Sequence, residues 1–380
     1  MSSIEAFTLP VKAEEAAWVR ERVTAYRFFE EPLDAGWNYG ANRAYMERLR
    51  DYWLKIFDWP AAVAKLNRHP HFRVEVASSL KLHCIHRRSS RPDAKPLLIA
   101  HGWPGSIVEF DALIDRLAEP EVENGPAFHV VAPSLAGYAW SDKPAAPIGP
   151  RAMGRHYDAL MGMLGYDRYL YQGGDWGCVI GGWVGLDSAR VEAIHLSGYG
   201  LRSTDMRPTT PEEVAWLTKA QKVRERETAY LQLQGTKPQS LGFAMMDSPM
   251  GVAAWFAEKF VGWSDTGSGR SGYVDPPFAF DTMLANIMIY LTTRSFNTAT
   301  WIYKGMFDEG FASIPEGQRI EVPTAVAAFP KDLLAFPPRA MVERGYNVVR
   351  YTAMPRGGHF ASLEEPELFI ADLRAFAATL

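Results

Sequence analysis

Apolar residues recur at helical spacing over Ala13–Ala25, Arg43–Ile56 and Pro60–Leu66, so the first stretch of the chain is expected to be helical. Phe72-Arg73-Val74-Glu75-Val76 then alternates apolar and polar, as a strand with one buried face does. From about 76 to 200 the pattern changes. Short apolar runs at Leu82–Ile85, Leu97–Ala100, Phe128–Ala132, Tyr169–Gln172 and Ala193–Leu196 are separated by helical patterns, among them Ile107–Leu117 and Ala152–Leu164. Strands alternating with helices predict a mostly parallel sheet covered on both faces, the α/β class. Residues 201–315 read as helices and loops, with a glycine- and serine-rich segment at 262–269. Strand and helix return over 316–380, at Thr324–Phe329, Val348–Tyr351 and a last helix Glu364–Leu380. A helical insertion inside an α/β sheet reads as a lid. The expected organisation is an amino-terminal helical region at 1–75, a core at 76–200 and 316–380, and a helical lid at 201–315.

Composition narrows the function classes. The net charge of −4 argues against a nucleic-acid partner, which would need a basic excess or stripe. Two cysteines, Cys84 and Cys178, make neither a disulfide framework nor a zinc site, and are expected to be small buried hydrophobes. Met1–Pro10 lacks the basic and apolar regions of a signal peptide. The longest apolar stretch, Cys178–Leu186, is far shorter than the ~20 residues of a membrane span. These features lead to the expectation of a soluble, cytoplasmic protein without a membrane partner. The 12 Trp, 16 Tyr and 20 Phe are enough to line an apolar pocket as well as fill a core.

Function in open parallel sheets collects at the carboxyl ends of the strands, and three motifs lie there. Gly173-Gly174-Asp175-Trp176-Gly177 follows the strand Tyr169–Gln172 and precedes a helix. It has the Gly-x-nucleophile-x-Gly form of a sharp turn that lifts a reactive side chain clear of the sheet. Here the nucleophile position holds Asp175, whose carboxylate can attack an electrophilic carbon and form an enzyme ester. His101-Gly102-Trp103-Pro104-Gly105-Ser106 ends the strand Leu97–Ala100. This loop is where a second oxyanion donor is expected, so the backbone N–H groups of Trp103 and Trp176 are the candidate pair. Gly357-Gly358-His359-Phe360 follows the strand Val348–Tyr351. Of nine histidines only His359 falls after a late strand, completing the order nucleophile, acid, histidine. The acid should lie between. Ser197-Gly198-Tyr199-Gly200 offers none, whereas Pro330-Lys331-Asp332 follows Thr324–Phe329, so Asp332 is the candidate to orient His359. Asp308 and Glu309 are the fallback.

These motifs resemble the microsomal-type epoxide hydrolases, an α/β-hydrolase family that includes the insect juvenile-hormone epoxide hydrolases. The resemblance extends to the amino-terminal stretch, where Trp37-Asn38-Tyr39-Gly40, Phe57-Asp58-Trp59 and Leu66-Asn67-Arg68-His69-Pro70-His71-Phe72 look like a region most α/β-hydrolases lack. In the family that region wraps around core and lid. The resemblance implies an α/β-hydrolase fold, Asp175 as nucleophile, His359 as water-activating base and Asp332 as its acid partner. It further implies two lid tyrosines that bind the epoxide oxygen. Tyr230, just before Gln232 and Gly235-Thr236-Lys237-Pro238, resembles the first. Tyr303, in Trp301-Ile302-Tyr303-Lys304, resembles the second, with Tyr290 as its rival; members often carry Arg where this chain has Trp301. The activity so implied is hydration of a small apolar epoxide to a vicinal diol, with no metal or organic cofactor. A homo-oligomer is left open. Two other readings compete. A haloalkane dehalogenase also uses an elbow aspartate, though it usually has Asn at the position of Trp103. A non-catalytic ligand-binding relative would have no need of Asp175, Asp332 and His359 together.

Overall fold

The computed structural model describes residues 4–33, 35–120, 125–203, 206–266, 278–310 and 313–380. Gly267, Ser268 and Gly269 of the segment singled out above lie outside these. Nine strands form one sheet: β1 (Ile4–Phe7), β2 (His71–Ala77), β3 (Leu80–Arg87), β4 (Lys95–Ala100), β5 (Phe128–Pro133), β6 (Tyr169–Gly173), β7 (Val191–Leu196), β8 (Ile320–Ala328) and β9 (Tyr346–Ala353). Their spatial order is β1-β2-β3-β5-β4-β6-β7-β8-β9. β1, β2, β3 and β5 pair antiparallel in turn, and all pairs from β5 through β4 to β9 are parallel. This is a mostly parallel sheet in the α/β-hydrolase fold. β4, β6 and β7 are buried almost throughout, which is why they read as continuous apolar runs rather than as alternation.

The amino-terminal helices are α1 (Ala13–Ala25), α2 (Arg43–Lys55) and α3 (Trp59–Leu66). Asn42 and Asp58 cap α2 and α3 by accepting from Tyr45 N and Ala61 N. Next come α4 (Ile114–Ala118), α5 (Pro150–Met163) and α6 (Trp176–Asp187). The lid carries α7 (Pro211–Glu227), α8 (Ala229–Thr236), α9 (Pro238–Met245), α10 (Pro249–Trp263), α11 (Phe280–Thr292), α12 (Phe296–Ala299) and α13 (Trp301–Asp308). The chain closes with α14 (Arg339–Glu343), α15 (Ala361–Glu364) and α16 (Pro366–Ala377). All three amino-terminal helices pack on α11, and α1 also packs on α10. The amino-terminal region thus braces the lid, while β1 extends the sheet edge and β2 runs across the expected junction at residue 75.

Two expected helices are corrected. Ile107–Leu117 is a short 3-10 turn over Ile107–Phe110 followed by the separate α4. Glu364–Leu380 is two helices, because Pro366 has no N–H for the preceding turn and forces Glu365 out of helical geometry, at φ −138° and ψ 58°. Cys84 and Cys178 are both buried and free. Among the described residues no helix is long and apolar enough to cross a membrane.

Candidate active site

β6 ends at Gly173 and α6 opens at Trp176, so Gly174 and Asp175 must turn the chain from strand to helix within two residues. Asp175 does so at φ 46° and ψ −122°, a conformation L-residues rarely adopt and one that marks functional strain. The surrounding backbone is too close for side chains. A Cβ at Gly173 would overlap the carbonyl of Gly177, and one at Gly177 would overlap the Ala100 carbonyl at the end of β4. Cys178 braces the turn from behind, its thiol donating to Gly173 O at 2.8 Å and its sulfur accepting from Gly198 N at 3.1 Å.

The loop after β4 faces this carboxylate. Trp103 N donates to Asp175 Oδ1 at 2.8 Å, and a Cβ at Gly102 would overlap the same side chain. Trp176 is the first residue of α6, whose first-turn N–H groups have no intrahelical acceptors. Two lid side chains hold the loop in place: Asn286 Nδ2 donates to Pro104 O at 2.8 Å and Tyr290 Oη to Gly105 O at 2.6 Å.

The ends of β8 and β9 supply the remaining groups. Lys331 N bonds Gly357 O at 3.0 Å, which ties the two loops together and brings Asp332 beside His359. Asp332 Oδ1 lies 2.6 Å from His359 Nδ1, and Asp175 Oδ2 lies 3.3 Å from His359 Nε2. Burial works to lower the pKa of His359, but the charges and hydrogen bonds of Asp332 and Asp175 outweigh it and hold the imidazole well above its ordinary value. The imidazolium is therefore stabilised while both carboxylates are charged. Glu364, the last residue of α15, fixes this loop through its backbone. It accepts from Gly358 N at 2.9 Å, Phe360 N at 2.8 Å and Asp265 N at 2.6 Å. Burial pushes its carboxyl up to about 7 against the pull of those donors.

The lid closes the site with aromatic rings. Tyr230 on α8 stacks on Trp103, ring centroids 5.1 Å apart at 12°. Tyr303 on α13 meets Tyr230 edge to face at 5.8 Å and Trp176 at 4.7 Å. Burial first, then the Asp175 charge, raises the pKa of Tyr230; burial and the neighbouring Tyr230 and Asp175 raise that of Tyr303. Both phenols stay protonated and able to donate. The buried Lys259 ammonium lies 4.7 Å from the Tyr230 ring centroid and 5.5 Å from that of Trp263, and pairs with Glu258 at 2.5 Å. One cavity of about 480 Å³ is lined by Asp175, Trp176, Tyr230, Tyr303, Asp332 and His359 together.

All five expected catalytic side chains therefore converge. Tyr290 is not in that lining, and its hydroxyl is spent on Gly105 O. The fallback acids are engaged elsewhere: Asp308 pairs with Lys304, and Glu309 accepts from Arg151 N at 3.0 Å and Ala152 N at 3.1 Å at the start of α5. The sequence reading missed Glu364 and Lys259, whose roles depend on contacts distant in the chain. Among the described residues no cluster of three or more His, Cys, Asp or Glu converges as a metal site.

Comparison with known proteins gives this arrangement its context. Residues 4–110 match the family model described as the epoxide hydrolase N terminus, and residues 95–246 match that of the alpha/beta hydrolase fold. Epoxide hydrolase 1 of Sus scrofa is 32% identical over 411 residues, covering 100% of this chain and 89% of its own. The chain belongs to the microsomal-type epoxide hydrolase family. Its reaction is epoxide hydrolysis, and the haloalkane dehalogenase and non-catalytic readings fall away. Juvenile hormone epoxide hydrolase 2 of Ctenocephalides felis is also 32% identical, covering 91% of this chain and 79% of its own. Among solved structures, juvenile hormone epoxide hydrolase of Bombyx mori superposes with a TM-score of 0.91 at 27% identity, over 100% of this chain and 95% of that one. The Aspergillus niger epoxide hydrolase gives 0.86 at 29% identity, over 99% and 96%.

Proposed function

We propose that Asp175 is the nucleophile of an epoxide hydrolase reaction in which Tyr230 and Tyr303 hold and protonate the epoxide oxygen. The supporting observation is the division of labour at the Asp175 carboxylate: Oδ1 is held by Trp103 N–H, and Oδ2 faces His359 Nε2 and the cavity. Oδ2 attacks a ring carbon, the C–O bond breaks, and a phenol gives its proton to the leaving oxygen. The product of this half-reaction is a glycol ester.

Esterification removes the charge of Asp175, one of the two groups that keep His359 protonated. The imidazolium then releases its proton, restoring the phenol, and becomes a base. Neutral His359, oriented by Asp332, takes a proton from water as the water attacks Cγ of the ester. The oxyanion forms on Oδ1, which Trp103 N–H already holds, and Trp176 N–H at the start of α6 is the second donor in this reading. One such donor is worth ~10²–10³ in rate. Collapse returns the Asp175 carboxylate, the imidazolium and a vicinal diol. In this reading 1–75 braces the lid, 76–200 and 316–380 carry the nucleophile, base and acid, and 201–315 carries the two phenols.

Turnover in ¹⁸O water tests the covalent step. The first turnover should place label in the Asp175 carboxylate, and later turnovers should pass it to the diol. Label entering the diol directly in the first turnover would rule the ester out.

A further inference from the structure

Two guanidinium groups line the catalytic cavity and have no place in the reaction just described. Arg202 lies in the loop after β7, where its carbonyl accepts from Ile314 N at 2.7 Å; Arg224 lies in the last turn of α7. Both line the same cavity as Asp175. Among the described residues neither has a carboxylate partner, whereas the neighbouring Arg344 is paired to both Glu213 oxygens at 3.0 Å. The Nη2 of Arg224 is buried and meets no acceptor. Arg202 lies with its guanidinium carbon 5.2 Å from the Tyr199 ring centroid, a face contact that leaves the N–H edges of the fork free. Burial and the nearby Arg202 charge bring Arg224 down to about 10, and burial also lowers Arg202. A half-buried pair of cations without a counter-ion is costly to hold, and a planar fork of donors matches a carboxylate.

The rest of the lining separates into zones. Gln232 and Ser313 are exposed polar residues of the lining, and Ser313 pairs with Arg202 in a short parallel bridge. Val179, Leu231, Met306, Phe307, Leu333 and Leu334 give apolar wall. Asp175 and Asp332 at the catalytic end repel an anion, so an anionic substrate enters with its charge toward Arg202 and Arg224.

We propose that Arg202 and Arg224 form an anion subsite, and that the preferred substrate is an epoxide joined by a hydrocarbon chain to a carboxylate. This rests on Asp175, Tyr230 and Tyr303 marking the epoxide end of the cavity. The pair positions substrate and sets specificity, and takes no part in bond making.

The test compares three substrates: a terminal-epoxide fatty acid of eleven carbons, its methyl ester and styrene oxide. The wild-type enzyme should favour the acid over the ester in kcat/KM. In Arg224→Gln, and more so with Arg202→Gln added, KM for the acid should rise roughly ten- to a hundredfold, as loss of hydrogen bonds to a charged group implies. Its kcat, and both constants for the ester and styrene oxide, should stay within about twofold, and Arg224→Lys, which keeps the charge without the fork, should keep only part of the preference. With the wild-type enzyme alone, undecanoate should inhibit styrene oxide hydrolysis competitively and undecanamide should not. Equal handling of acid and ester, or loss of all three substrates together in the variants, would overturn the subsite alone, provided wild-type enzyme hydrolyses styrene oxide. Wild-type failure on all three substrates would overturn the catalytic reading as well.

Discussion

Tyr303→Phe and Tyr290→Phe each remove one oxygen from a buried ring, and the structure assigns them opposite consequences. The Tyr303 hydroxyl faces the catalytic cavity and meets no protein acceptor. Its polar neighbours, Tyr230 and Trp176, belong to the site, so its loss costs the fold little. In the reaction it removes one of two donors to an oxygen gaining charge, a contact worth about 1.5–3 kcal/mol, or roughly 10- to 150-fold in rate. The Tyr290 hydroxyl donates to Gly105 O at 2.6 Å. Its loss costs about 1 kcal/mol of stability, and more if the carbonyl is left unpaired. With 380 residues at roughly 2.1 cal/mol/K each, the unfolding entropy is about 0.8 kcal/mol/K, so 1 kcal/mol moves Tm by about 1 °C. Diol formation from styrene oxide and scanning calorimetry on both variants give the comparison. Tyr303→Phe should keep its Tm and lose activity by the stated factor. Tyr290→Phe should drop in Tm by about 1 °C or more and lose less activity. If Tyr303→Phe stays within twofold of wild-type activity, or Tyr290→Phe is equally slowed at unchanged Tm, the assignment of the second lid tyrosine is wrong.

Asp175→Asn should abolish turnover and lower the pKa of His359, since it deletes one of the two carboxylates that raise it; NMR titration of the imidazole would show an unchanged value if the pairing is misread. Because the folded value lies above the ordinary 6.5, the pair's contribution to stability is complete below pH 6.5 and is lost as pH rises through the folded value, so in Asp175→Asn the contribution should be smaller and its loss should be complete at lower pH. His359→Gln should form the ester and fail to hydrolyse it, giving a protein heavier by one substrate in intact-mass spectra; absence of that adduct with substrate still bound would contradict the role of His359. Gly177→Ala should destabilise the fold by about 1–3 kcal/mol or more, because the added carbon overlaps the Ala100 carbonyl. Gly262→Ala in α10 meets nothing within 4 Å and should stabilise by about 0.5–1 kcal/mol; comparison of the two by urea unfolding checks the reasoning.

The parts of this molecule legible in its sequence are those where function and local backbone coincide. The glycines at 173 and 177 are needed by close backbone contacts, and Asp175 stands between them, so one short motif announced both the turn and the carboxylate it presents to the cavity. His359 and Asp332 were found from their places after successive strands. The misread helices failed for local reasons: Pro366 breaks a pattern that periodicity alone continues, and the apolar run from Ile107 is shared between a 3-10 turn and α4. β1 has no buried residue even when paired with β2, so it carries little signal. Lys259, Glu364, Arg202 and Arg224 were illegible for a different reason. Each is an ordinary charged residue on a helix or loop, and only its distant neighbours make it unusual.

The glycine contacts at the elbow divide the molecule in another way. Gly102, Gly173 and Gly177 leave no room for one further carbon, so main chain, not side-chain choice, fixes where the ester forms. Leu231, Gln232, Met306 and Phe307 are lid side chains that line the same cavity, and they bear none of that constraint. Substitutions there can redirect the enzyme toward new epoxides while the reacting atoms keep their places. Change at the three glycines has no such freedom, so a lineage built on this frame diversifies in what it accepts and stays fixed in how it reacts.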